Sequence, residues 1–198
     1  MPKLRPQVRS ERRQAILDAA WRCAARKPFG EMTVDEVCAE GGLSKGAFYG
    51  YFESKDALLE GLLEDDAAAL DAMLDEIGAG EPGGIGRLRH FARAMLEHAD
   101  DPGRAQVRAD LWAAASSEPA LREHFAATGA RRRAQLRHWI EESIAAGELR
   151  EAPANALASL LLAMADGLML HASIDPGAFR WANVRRAVDE LLSGITSA

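Results

Sequence analysis

Three helix starts fall between Thr33 and Lys55, a spacing that short helices satisfy and a sheet does not. Thr33-Val34-Asp35-Glu36 has the form of a capping box. In it the Thr33 hydroxyl accepts the amide hydrogen three residues on, and the Glu36 carboxylate reaches back. Ser44 and Ser54 stand where each would cap a following helix. Between the first two starts, Gly41-Gly42 supplies a sharp reversal, with one glycine at positive φ. The spacing predicts a helix of about seven residues ending near Glu40, a short one from Ser44 through Tyr51, and a long one from Lys55 to about Ile77.

The rest of the chain reads the same way. Ile16, Ala20, Cys23 and Ala24 recur at helical spacing and are followed by Lys27-Pro28-Phe29-Gly30, which ends a first helix. Gly78 to Gly84 reads as a loop, and further helices are expected at 85–99, 102–117, 119–147, 154–174 and 179–195. No period-two run of β-branched residues occurs, so the fold class is all-α, with about nine helices. A boundary near residue 55 divides it into a head, 1–55, and a body, 56–198.

The whole chain carries −6, which taken alone argues against nucleic acid as a partner. The distribution reverses that inference. Residues 1–55 hold ten Lys/Arg, Lys3 and Arg5 among them, against seven Asp/Glu, or +3; residues 56–198 hold fourteen against twenty-three, or −9. A basic head on an acidic body is the asymmetry of a chain that meets a polyanion at one end.

Two short helices joined by Gly41-Gly42-Leu43 make a helix-turn-helix over about 33–52, with Val34, Val37, Cys38, Leu43, Phe48 and Phe52 as its core. The other face of the second helix holds Lys45, Gly46, Ala47, Tyr49 and Gly50. A lysine donates to guanine O6/N7 or to phosphate, and an alanine packs on a thymine methyl. Gly46 lets the backbone approach, and Tyr49 offers a hydroxyl to phosphate. Lys55 lies in the first turn of the next helix, whose free amides also suit phosphate.

The segment from Thr33 to Leu59 resembles the DNA-binding signature of TetR-family regulators, and the likeness runs from about Arg9 to Leu63. The resemblance implies an all-α fold, with an N-terminal three-helix DNA-binding domain and a larger C-terminal helical domain for ligand binding and dimerisation. By position it implies Thr33, Lys45, Gly46, Ala47, Tyr49, Tyr51 and Lys55 as contacts to double-stranded operator DNA. Ala47 stands where a threonine is common in that family and Gly50 where a large side chain is, so contacts are lost at both. Leu111 to Ala115, Ala146-Gly147-Glu148-Leu149 and Ala165-Asp166-Gly167-Leu168 resemble the choline-responsive repressor subgroup.

The same resemblance implies a homodimer in which the last two helices pair across a two-fold axis. The seam would then hold Leu157, Leu161, Met164 and Leu168 on one helix and Val184, Val188, Leu191 and Leu192 on the other. It also implies a small-molecule effector, without naming one. Phe91, Met95, Leu111, Trp112, Phe125 and Trp139 sit on helices that would wrap a central cavity, and core packing explains them equally well. Arg131-Arg132-Arg133 with Arg137 reads as a solvated face from which one arginine could meet an acidic effector. Asp166, inside an apolar helix, needs a partner if buried; a hydrogen bond at the seam would supply one, ahead of contact with a cationic ligand.

Other chemistries find no support. Gly42-Leu43-Ser44-Lys45-Gly46 matches the nucleophile-elbow pattern, but that motif needs a strand before it, and a helix precedes this one. The five histidines show no His-x-x-x-His or Glu-x-x-His pairing, so no metal or cofactor is expected. Cys23 and Cys38 read as small buried hydrophobes. The longest apolar run, Ala156 to Ala165, is too short to span a bilayer, and no secretory signal is legible, so a cytoplasmic protein is expected. The sequence therefore points to a ligand-responsive, non-enzymatic transcriptional repressor. An activator of the same build is the first alternative; a helical enzyme or an adaptor comes after it.

Overall fold

The computed structural model describes residues 6–80, 83–178 and 180–196. Lys3 and Arg5 of the basic head and Phe179 at the expected start of the last helix lie outside the described residues. Nine α-helices occur among them: α1 (Pro6–Ala24), α2 (Val34–Gly41), α3 (Lys45–Tyr49), α4 (Lys55–Gly80), α5 (Gly84–Ala99), α6 (Pro102–Ser117), α7 (Pro119–Ala145), α8 (Ala154–Ile174) and α9 (Trp181–Ile195). No strand occurs among the described residues; a lone antiparallel bridge joins Leu149 to Thr196. The all-α expectation is met, and most helix ends lie within two residues of their sequence signals.

One expected loop is largely absent. The helix α4 continues through Gly78 to Gly80, where the glycines suggested a break. Leu74 and Ile77 are buried against α5 and α7, and that packing carries the helix past residues of poor propensity.

Two apolar clusters hold the chain together. The first joins Ile16, Leu17, Ala20 and Cys23 of α1 to Val37 and Cys38 of α2, Phe48 and Phe52 around α3, and Leu58 and Leu62 of α4. It also takes Val107 and Leu111 from α6 and Leu121 from α7, so the head shares its core with the body. The second cluster joins the C-terminal half of α4 to α5, α7 and α8. Along α4, positions 58, 62, 66, 70, 74 and 77 follow one helical stripe that crosses from the first cluster into the second.

The helix α6 ties the body to the head as well. Gly103, in its first turn, packs so closely on the end of α1 that a Cβ would lie 3.1 Å from the Trp21 carbonyl oxygen. The Phe29 amide donates to the Asp110 carboxylate at 2.9 Å, and the Arg104 guanidinium lies 5.1 Å from the Trp21 ring centroid.

Candidate DNA-binding surface

The geometry of residues 33–57 follows the sequence signals closely. The Thr33 amide donates to the Glu36 carboxylate at 2.8 Å, and the Glu36 amide donates to the Thr33 hydroxyl at 3.3 Å, which closes the capping box. The hydrogen bond from Lys27, then those from Thr33, hold the Glu36 carboxyl at about 2, below the usual range. At the reversal Gly42 adopts φ 62°, ψ 35°, and the Leu43 amide closes onto the Cys38 carbonyl at 2.9 Å, a Schellman turn. Ser44 accepts from the Ala47 amide at 3.2 Å and Ser54 from the Ala57 amide at 3.0 Å.

This frame aims the two faces of α3 in opposite directions. Phe48 is fully buried and meets the Phe52 ring at 5.8 Å. Lys45, Gly46, Ala47, Tyr49 and Gly50 are exposed, with 51% of Tyr49 accessible, and the Tyr49 ring stands edge-on to Phe48. Lys45 Nζ lies 2.8 Å from Asp35 Oδ1, an exposed pair that bridges α2 to α3 and raises the lysine pKa. Thr33 is exposed at the start of α2, and Tyr51 is half-buried against the first cluster. Lys55 is held back: its ammonium donates to the Gly30 carbonyl at 2.8 Å and lies 4.9 Å from the Phe29 ring centroid. The surface thus brings together Thr33, Lys45, Gly46, Ala47 and Tyr49, with Lys55 at its margin.

In the body, a cavity of about 430 Å³ lies among α4, α5, α6, α7 and α8. Phe91, Met95, Trp112 and Phe125 line it; Leu111 and Trp139 do not. Leu111 sits one position from Trp112, about 100° round α6, and faces the head with Val107. Trp139 is packed in the closed part of the second cluster, about two turns beyond the cavity stretch of α7.

The arginine run is not a uniformly solvated face. Arg132 is buried, with its guanidinium on Asp71 at 3.2 Å and on the Ala67 carbonyl at 3.2 Å; Arg131 reaches Asp71 from outside. Asp166 finds its partner inside the chain and not at a seam, because Arg108 donates to it at 2.9 Å from α6. Arg108 also binds Asp66 at 2.6 Å, and His98 and Arg104 reach the same carboxylate at 2.9 and 3.2 Å. Burial alone would raise the Asp66 pKa; the His98 hydrogen bond and the Arg108 and Arg104 charges override it and hold the carboxyl at about 2.

Sequence reasoning missed this network, although its signal was present. Asp66 falls on the leucine stripe of α4, four residues from Leu62 and from Leu70, and a charge on an apolar stripe needs a buried partner. Among the described residues no group of three His, Cys, Asp or Glu could hold a metal ion. Cys23 and Cys38 are buried thiols whose pKa values burial raises.

The residues expected at a dimer seam divide. Leu192 is 4% exposed and belongs to its own chain's core. Leu161, Met164, Leu168 and Val188 line a narrow cleft with Phe91 and Met95 of α5. Leu157 and Val184 are half-buried, and Leu191 is 62% exposed. The helix α8 tolerates Asp166 within a longer apolar stretch than the sequence reading allowed. By length and composition alone it could cross a membrane, with mean hydropathy 1.6 and 17% of that stretch buried.

Comparison with known proteins settles the family. Residues 84–197, more than half of the chain, match the family described as BetI-type transcriptional repressor, C-terminal, and residues 16–62 match the bacterial regulatory proteins of the tetR family. The chain belongs to the TetR family. A relative from Mycobacterium tuberculosis, an HTH-type transcriptional repressor, is 34% identical over 94 residues, 48% of each chain. The matched stretch covers less than two thirds of the length of the curated relatives that match first. A TetR transcription regulator from Haloarcula marismortui shares the fold, at TM-score 0.82, 18% identity, 95% of this chain and 100% of that one. So does a transcriptional regulator from Saccharomonospora viridis in complex with choline, at TM-score 0.77, 20% identity, 96% and 100%.

Proposed function

We propose that this TetR-family chain is a cytoplasmic, dimeric transcriptional repressor that binds a palindromic operator and is released by a small-molecule effector. The observation that carries the reading is the uncovered face of α3. Lys45, Gly46, Ala47 and Tyr49 stand exposed on a helix fixed by the Ser44 cap and the Phe48 core. A rigid helix with small residues beside a cation and a hydroxyl suits entry to a major groove. Thr33 and Tyr51 flank it, and Lys55 reaches phosphate by exchanging the Gly30 carbonyl for a phosphate oxygen. Repression is supported by the names of the Mycobacterium relative and of the C-terminal family.

Dimerisation is supported by α8 and α9. The apolar α8 is mostly unburied in one chain, Leu160 and Leu191 are 54% and 62% exposed, and a second copy would cover them. Two heads must then reach successive major grooves roughly 34–36 Å apart. The effector would occupy the cavity of the body, which Leu70 and Leu74 of α4 line. Arg108 on the same wall holds Asp66 of α4, so a ligand that moves Arg108 moves the helix that begins at Lys55. Reciprocity then requires operator and effector to weaken each other by the same factor.

A gel shift of the dimer on the DNA upstream of its own gene, at several salt concentrations, tests the reading. The expected result is a saturable shift whose salt slope falls by about one unit per half-site in Lys45→Ala. A wild-type protein that gives no shift overturns it.

A further inference from the structure

The cavity in the body carries a charge opposite to the domain around it. Residues 56–198 sum to −9, yet the cavity wall holds Arg108, Arg122, Arg132 and Arg133 against the carboxylate of Asp166. The acids behind Arg108 and Arg132 are not theirs alone. Asp66 binds Arg108 but also Arg104, and Asp71 binds Arg132 but also Arg131, so each is shared with an arginine outside the wall. Arg133 differs from the others: it is half-buried on the wall, and its guanidinium makes no hydrogen bond or ion pair among the described residues.

A guanidinium drawn partly out of water with no acceptor gains most from a ligand carboxylate, which it can grip with two parallel hydrogen bonds. Much of the rest of the wall is apolar, with Leu70, Leu74, Phe91, Met95 and Leu162. The volume, about 430 Å³, is that of a small-ligand site.

We propose that the cavity takes an organic carboxylate with an apolar body, its head on Arg133 and its tail against Phe91 and Met95. The proposal rests on the reading of this cavity as the effector site. It separates this chain from the choline-bound Saccharomonospora neighbour. The Trp112 and Phe125 rings, 6.4 Å apart, would suit a quaternary ammonium, but the arginines around them repel one.

Three probes of one chain length and different head charge decide the matter: decanoate, decanol and decyltrimethylammonium, each titrated calorimetrically below its solubility or micellar limit into the full-length protein. Decanoate is expected to bind about tenfold or more tighter than decanol, as a charge-assisted hydrogen bond provides, and the cation weakest. Arg133→Gln should bring decanoate to the level of decanol and leave decanol unchanged. The operator shift of that variant serves as its folding control.

The proposal is overturned if the cation binds as tightly as decanoate, or if Arg133→Gln leaves decanoate affinity intact. It is equally overturned if a protein that still shifts its operator binds none of the three. Decanoate binding by a wild-type protein that shifts no DNA would instead sink the regulator reading and leave the ligand class standing.

Discussion

The head and the body solve opposite problems with the same element. Among the described residues every buried polar or charged side chain, Asp66, Arg108, Thr128, Arg132 and Ser143, lies beyond residue 65. The core around α1, α2 and α3 is apolar throughout, with Leu17, Val37 and Phe48 fully enclosed. The body instead holds a cavity and a ring of ion pairs across α4, α5, α6 and α8. An apolar, close-packed core has one arrangement and resists deformation. Ion pairs around a cavity can exchange partners, as the proposed response to an effector requires. On the proposed reading, the head offers DNA a fixed shape, and the body keeps ion pairs that can rearrange.

The largest effect should come from opening the head core. Phe48→Ala removes a fully buried ring in contact with Phe52 and should cost about 3–5 kcal/mol, read as a shift in the denaturant midpoint. Loss of operator binding should accompany it, while calorimetric binding of effector probes to the body persists in whatever fraction stays folded. A loss under about 1 kcal/mol would mean that the head core is not close-packed, and the contrast between the two regions would fail.

The next effect tests the body. Asp66→Asn leaves Arg104 and Arg108 around a neutral side chain and should cost about 3 kcal/mol. The pH dependence follows from the depressed carboxyl. Its folded value, about 2, lies below the ordinary 3.8, so the stabilisation is complete above the ordinary value. It is lost as pH falls from there through about 2. Thermal melts between pH 5 and pH 2 should therefore show a steeper decline in the wild type than in Asp66→Asn, which keeps only the loss from other depressed carboxyls such as Glu36. Parallel curves would mean that Asp66 does not carry the acid sensitivity of the body.

The two regions also differed in how far the sequence revealed them. In the head, Thr33, Ser44 and Ser54 accept from amides three residues on and Gly42 turns its own backbone, so their roles are readable from spacing alone. In the body, the decisive pairs are distant in sequence: Asp66 with Arg108, Arg108 with Asp166, Asp71 with Arg132. Helical periodicity places a residue on a face but does not say which helix the face meets. For that reason Leu111 was expected at the cavity and lies on the head side, and Asp166 was expected to find its partner at a seam and finds Arg108. The turn through Gly78 failed for the same reason, because burial of Ile77 by a distant helix outweighed local propensity.

The smallest effect should sharpen the contrast where the head depends on backbone alone. Gly42 sits at φ 62° with nothing within 4 Å of where a Cβ would stand. Gly42→Ala therefore creates no clash and loses no contact, and its cost is the left-handed conformation of an L-residue, about 1 kcal/mol. Asn, whose side chain tolerates that region, should recover part of it. A denaturant series of wild type, Gly42→Asn and Gly42→Ala should rank in that order with unchanged m-values. Equal midpoints for all three would mean that the reversal between α2 and α3 relaxes to another turn. The recognition face would then not be held by its backbone, and the head would be as adaptable as the body.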